Sequence, residues 1–207
     1  MDFLAVDPSG DKPEADGSER RQSTRFTSLI RAAKIISPQG EFICVIRDVS
    51  ETGIGLRLFH KLPVGGRMEL MLQNGECYEL DKVRSNETDA SFTFADTVDV
   101  DKLIVESGSF EKRQVRVAAC FPAKIKASLQ CHDALIHNIS QQGALIECDA
   151  QFALEQPLRL EAPELSEIRA KVRWRSDENY GLAFDTTFSL REFAVKVASL
   201  QCPTLFT

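Results

Sequence analysis

Apolar positions along this 207-residue chain fall in short runs, rich in β-branched and aromatic residues and bounded by Gly, Pro, Asn or charged residues. That pattern predicts short antiparallel strands. In the first half the runs cover 27–36, 41–49, 53–59, 67–73, 76–84 and 90–95, and Asn74-Gly75 between the fourth and fifth is a strong hairpin signal. The second half repeats the series at 117–127, 134–139, 143–148, 158–160, 168–175 and 180–185. Six short strands in a row suggest a small barrel. Two segments break this rhythm. Leu190, Phe193, Val197 and Leu200 stand at helical spacing behind Ser189, a capping residue, so a helix is expected over 189–200. A shorter counterpart is expected over 97–106, with Ser107-Gly108-Ser109 as punctuation. The fold class expected is mainly β: two tandem six-stranded antiparallel barrels, each followed by a short α-helix.

The two halves share more than strand rhythm. Arg21-x-x-x-Arg25 followed by Asp48-x-Ser50-x-x-Gly53 returns as Lys112-x-x-x-Arg116 followed by Asn138-x-Ser140-x-x-Gly143. The carboxylate or amide, the serine and the glycine each recur at an offset of 90, and Arg25 recurs at 91. A period of that length is a domain duplication, not a solenoid. The division expected is a disordered acidic tail over 1–17, a first domain over 18–106 and a second over 107–207.

Charge changes the picture only at the start. The formal net charge is −6, but residues 1–19 hold six acidic side chains against Lys12 alone, and the remainder is nearly balanced. With Pro8 and Pro13, that stretch reads as a solvated tail. It has neither a basic n-region nor a sustained apolar stretch, so neither a secretory signal nor a transit peptide is expected, and the cytoplasm is the expected location. No apolar run approaches the roughly 20 residues of a membrane helix. Basic residues are not in excess and the isoelectric point is about 5.2, which argues against nucleic-acid binding. The six cysteines are scattered, without the pairs or the clustered histidines of a zinc site, so no metal is expected. Cys44 and Cys148, inside apolar runs, read as small core hydrophobes.

The repeated residues carry the candidate chemistry. Arg20, Arg21 and Arg25 lie in a polar approach to the first strand, with no apolar core to cover. A guanidinium pairs bidentately with phosphate or with the O6/N7 edge of guanine, and its face stacks on a base. Asp48 can accept from the N1–H and N2–H2 donors of guanine, an edge adenine lacks, and Ser50 adds a hydroxyl. Taken singly, each piece has a structural reading. Arginines mixed with acids form solvated faces, and an Asx or ST turn with a left-handed glycine yields Asp-x-Ser-x-x-Gly without any ligand. For catalysis, the nearest nucleophile and base pairs are Cys131 with His132 and His137 with Ser140, and His60 is the remaining histidine. Neighbouring strand residues face opposite ways and no third group orients His137, so no catalytic residues are assigned.

The conjunction, present twice, resembles the PilZ domain, a family of cyclic di-GMP receptors. Arg21, Arg25, Asp48, Ser50 and Gly53 match its hallmark segments in full. In the second half Asn138, Ser140 and Gly143 match, as does the closing stretch Ala170-Lys171-Val172-Arg173-Trp174 through Tyr180-Gly181-Leu182-Ala183-Phe184. The resemblance implies a six-stranded barrel with a C-terminal helix, cyclic di-GMP held on its outer surface, no chemistry and no further cofactor. It also implies a switch in packing against a neighbouring domain or a protein target. On this reading Arg20, Arg21, Arg25, Asp48, Ser50 and Gly53 bind the nucleotide. Lys112 cannot present a guanidinium fork, although Arg113 is adjacent, so Lys112, Arg113, Arg116, Asn138, Ser140 and Gly143 are expected to form a weaker second site. The first domain lacks the Trp and Tyr-Gly of the second, which predicts irregularity at that end of its barrel. The alternative reading is an interaction adaptor with the same fold and no small ligand.

Overall fold

The structure, a computed structural model, describes residues 26–105 and 114–206. Twelve strands, two helices and a terminal 3₁₀ turn are arranged as two closed barrels. The first comprises β1 (Phe26–Ser37), β2 (Gly40–Val49), β3 (Gly53–Leu58), β4 (Met68–Met71), β5 (Cys77–Ser85) and β6 (Asp89–Phe94), followed by α1 (Val100–Val105). The second comprises β7 (Arg116–Ala127), β8 (Gln130–Ser140), β9 (Gly143–Glu147), β10 (Pro157–Ala162), β11 (Leu165–Ser176) and β12 (Asn179–Phe184), followed by α2 (Leu190–Gln201). Strands run antiparallel in the order β1-β2-β3-β6-β5-β4, and β4 returns to β1 through Ile35 opposite Leu70. The second barrel repeats that order.

Alternation fixes which face is core. Ile54, Leu56 and Leu58 of β3 are buried in the first barrel, as are Ala90, Phe92 and Phe94 of β6. Ala144 and Ile146, with Tyr180 and Leu182, do the same in the second. Cys44 and Cys148 are buried free thiols, and burial pushes both above the usual thiol range. The hairpin at Asn74-Gly75 forms with Gly75 at φ 91 and Asn74 Oδ1 accepting from the Glu76 N–H. Strands β8 and β11 extend beyond their apolar runs, because ladder pairing continues through the polar flank 130–133 of β8 and through 165–167 of β11, where Leu165 pairs with Ala162 and joins the core.

Each helix adds side chains to the core cluster of the barrel it follows. Asp99 Oδ1 accepts from the N–H groups of Asp101 and Lys102 at the start of α1, Leu103 is fully buried, and Arg31 donates to the Leu103 carbonyl at 2.7 Å. Ser189 and Glu192 close a reciprocal capping box on α2, which buries Phe193, Ala194, Val197 and Ala198. No described helix is long and apolar enough to cross a membrane.

The irregularity expected at the closing end of the first barrel is present, and the second barrel shares it. Register shifts between Lys82 and Arg84 in one barrel and between Val172 and Trp174 in the other, at the same step. Trp174 and Gly181 therefore do not regularise the second barrel. One extra residue, Val83 or Arg173, is accommodated in each.

The barrels meet along β2. Ile43 is buried in the cluster of the second barrel, and Glu41 is hydrogen-bonded to two residues of the second half, Ala118 and Gln201. Its carboxylate accepts from the Ala118 N–H and from Lys34 Nζ, both at 2.7 Å. Its backbone N–H donates to Gln201 Oε1 at 2.9 Å while its carbonyl accepts from Gln201 Nε2 at 2.8 Å. The glutamine at the end of α2 thus pairs with β2 as one residue of an extra strand would. Gly40 permits this approach, since a Cβ there would lie 2.4 Å from Gln201 Oε1.

The seam also contains a buried imidazole. His60 packs against Phe42, with ring centroids 5.2 Å apart, and against Phe206 of the terminal turn Pro203–Phe206. Nδ1 lies 2.7 Å from the Lys61 carbonyl and so carries the proton, leaving Nε2 buried without a hydrogen-bond partner. Burial pushes this histidine below its ordinary value, against a smaller opposing effect of the Lys61 carbonyl. The unfolded chain takes up a proton below about pH 6.5 while the folded ring stays neutral. Stability is therefore expected to be level above that pH and to fall as pH drops through it toward the folded value. Melting curves from about pH 8 to pH 5 test this, with His60→Phe expected to flatten the slope; an unchanged slope in the variant would assign it to other groups.

Candidate ligand-binding face

A β-bulge sets the site. In β2, Ile46 pairs with Leu56 and Asp48 with Gly55, so Arg47 is an unpaired extra residue. The insertion keeps Ile46 and Val49 in the core and turns Asp48 outward. The second barrel repeats it: Ile136 pairs with Ile146, Asn138 with Leu145, and His137 is extra.

Across the first sheet the register then aligns Thr27 on β1, Asp48 on β2, Gly55 on β3, Ser91 on β6 and Arg84 on β5. Ile54 and Leu56, beside Gly55, and Ala90 and Phe92, beside Ser91, are buried, so Gly55 and Ser91 lie on the outer face. A Cβ at Gly55 would meet the Asp48 carboxylate at 2.6 to 2.8 Å, which places that carboxylate directly above the glycine. Asp48 is half-buried, and among the described residues its carboxylate has neither a hydrogen bond nor an ion pair. Such a group lacks its donors.

The serine and glycine act through the backbone. Ser50 is buried; its Oγ donates to the Gly53 carbonyl at 3.2 Å and accepts from the Gly53 N–H at 3.1 Å, while the Ser50 N–H donates to the same carbonyl at 2.8 Å. Ser140 likewise donates to the Gly143 carbonyl at 3.2 Å. This is an ST turn, but neither glycine sits in the left-handed region. Close approach demands them instead: a Cβ at Gly53 would lie 3.0 Å from the Phe92 carbonyl oxygen, and one at Gly143 would lie 2.1 Å from that of Leu182.

The corresponding face of the second barrel is filled. Its row reads Ala118, Asn138, Leu145, Gly181 and Trp174. Leu145 stands where the first barrel has Gly55, and Asn138 Oδ1 is buried without a partner. Trp174 lies flat on Gly181, with indole atoms 2.0 to 2.6 Å from where a Cβ would be, and is 45% exposed.

Arg20, Arg21, Arg25, Lys112 and Arg113 lie outside the described residues. The chain enters β1 at Phe26, opposite Val49, so the residue after Arg25 pairs beside Asp48. Arg116 is exposed at the start of β7, opposite Ser140. His137 is engaged by Glu147, Nε2 to Oε2 2.7 Å, and Ser140 by its turn, so the two are not organised as a base and nucleophile. The sequence reading missed Gly55 and Ser91. A lone glycine inside the apolar run Ile54-Gly55-Leu56 is the signal that marks a close approach.

Duplicated closed barrels of the same strand order define a class of tandem β-barrel proteins. The PilZ domain model matches residues 19–89 and 111–196, and the chain belongs to that family. Similar solved structures include the Borreliella burgdorferi PlzA protein in complex with c-di-GMP, at 14% identity over 88% of this chain and 94% of that one, with a TM-score of 0.35. The Bacillus subtilis inhibitor of motility MotI/DgrA matches at 12% identity over 82% and 93%, with a TM-score of 0.36. The K. pneumonia MrkH–c-di-GMP complex matches at 12% identity over 86% and 94%, with a TM-score of 0.31. No curated protein matched the sequence.

Proposed function

We propose that this chain is a cytoplasmic, non-catalytic receptor for cyclic di-GMP, with its ligand face on the first barrel. The observation that carries the reading is the unpartnered Asp48 carboxylate held over Gly55, beside the strand into which Arg20, Arg21 and Arg25 lead. A carboxylate so placed suits the N1–H and N2–H2 donors of guanine, and the arginines suit its phosphates and O6/N7 edge. Ser50 and Gly53 hold the turn that presents Asp48. Domain boundaries at 18–106 and 107–207 follow from the duplication, with 1–17 as a solvated tail. The second barrel, with Lys112, Asn138 and Leu145 in the corresponding places, serves packing and contact with a protein target, and binding moves the first barrel relative to that target.

Calorimetric titration with cyclic di-GMP tests this. Arg25→Ala is expected to weaken binding about ten- to a hundredfold, the loss of a charge-assisted bidentate contact, while Arg116→Ala leaves it unchanged. A wild type that binds no cyclic di-GMP by calorimetry or a second probe would leave the adaptor reading in its place.

A further inference from the structure

The outer row ends on a cation that the motif does not include. Arg84 is exposed, follows the Val83 bulge, and among the described residues has no carboxylate partner. Its Nε lies 3.5 Å from Ser91 Oγ, so the side chain runs from β5 across β6 toward Gly55. The Asp48 carboxylate reaches over β3 from the other side. Carboxylate and guanidinium are thus about one strand spacing apart, roughly 5 Å.

That separation decides how a base fits. A guanine lying between the two groups in their plane, with a hydrogen bond at each edge, needs roughly 10 Å or more. A guanine gripped by Asp48 at its N1/N2 edge instead projects its ring over Ser91, with its face on the guanidinium. The side chains between the two groups are small, none at Gly55 and a hydroxymethyl at Ser91, so the Asp48 carboxylate and the Arg84 side chain are what a base meets there. The register-equivalent residue of the second barrel, Trp174, is also planar and lies flat on the sheet, so both barrels put a planar group at this step.

We infer that Arg84 is a ligand contact: its guanidinium face is the platform on which the guanine held by Asp48 stacks. The inference rests on the receptor reading. Guanidinium faces stack on bases, and such stacking tolerates any base because every base has a π-face. Asp48 then selects guanine and Arg84 supplies affinity without selection.

The test titrates cyclic di-GMP and cyclic di-AMP into wild type, Arg84→Ala, Arg84→Lys, Arg84→Trp and Asp48→Asn, with a melting curve for each variant. Arg84→Ala is expected to weaken cyclic di-GMP binding about tenfold with its preference over cyclic di-AMP unchanged. Arg84→Lys, which keeps the charge and loses the plane, should remain weak, and Arg84→Trp should recover most of the affinity. Asp48→Asn should lose the preference. Wild-type affinity in Arg84→Ala, or full recovery in Arg84→Lys, would overturn the platform. Cyclic di-GMP binding lost in Arg25→Ala but untouched in Arg84→Ala defeats this inference alone, whereas a wild type that binds no cyclic di-GMP defeats the receptor reading and this one together.

Discussion

Gly55→Leu is expected to abolish measurable cyclic di-GMP binding, a loss of more than about a hundredfold, while leaving the protein folded. The Cβ alone would fall within 2.6 to 2.8 Å of the Asp48 carboxylate, far inside contact distance, so the carboxylate must move. The isobutyl group would then occupy the outer row where a base has to lie. Folding is expected to survive because the second barrel already carries Leu145 at this register position beside Asn138, in a barrel that closes in the same order. Side chains on the outer face displace no core atoms, so the stability change should stay within about 1 kcal/mol. Calorimetry against a melting curve separates the two effects. Retained affinity would show that Asp48 does not contact the ligand from above Gly55.

The largest effect on stability is expected at the seam. Glu41→Ala removes the acceptor of both Lys34 Nζ and the Ala118 N–H, and the Lys34 and Glu41 side chains are only 12% and 18% exposed. It leaves a nearly buried ammonium and an N–H without their partner. Removing one member of such a pair costs about 2 to 3 kcal/mol or more, since the remaining charge stays desolvated. For a chain of this length that corresponds to a drop of about 5 to 10 °C in melting temperature. Glu41→Gln keeps an acceptor for the Ala118 N–H and should lose less. Equal melting temperatures for wild type and Glu41→Ala would mean that the barrels do not depend on this contact. Gln201→Ala removes the two hydrogen bonds to the Glu41 backbone and is expected to make protease cleavage between the barrels faster.

What the sequence discloses and what it hides divides along physical lines. Strand alternation made both barrels legible to within a few residues, and Ser189 with the Leu190, Phe193, Val197 spacing located α2. The duplication exposed Asp48 with Asn138 and Gly53 with Gly143 as paired positions. The reason for the glycines was not legible, because a carbonyl from β6 or β12 pressing on the backbone is a long-range fact, whereas a left-handed dihedral is the local explanation that composition suggests. Ser91 and Arg84 were hidden for the same cause: they join Asp48 only through the pairings β2 to β3, β3 to β6 and β6 to β5, across more than 30 residues of sequence, whereas Gly55 is near in sequence and only its place under the carboxylate was hidden. The seam between Glu41 and Gln201 spans 160 positions and no periodicity announces it.

The bulge at Arg47 makes the outer face a matter of counting. Side chains of a strand alternate, so an odd insertion inverts every residue beyond it. Excising that one residue would leave a regular ladder in which Asp48 still pairs with Gly55 and still faces outward, whereas straightening the strand with Arg47 retained would send the Asp48 carboxylate toward Ile54 and Phe92, a place where no ion belongs. Chemistry that depends on Asp48 therefore rests on the bulge absorbing the extra residue and not on what that residue is, as His137 in the other copy illustrates.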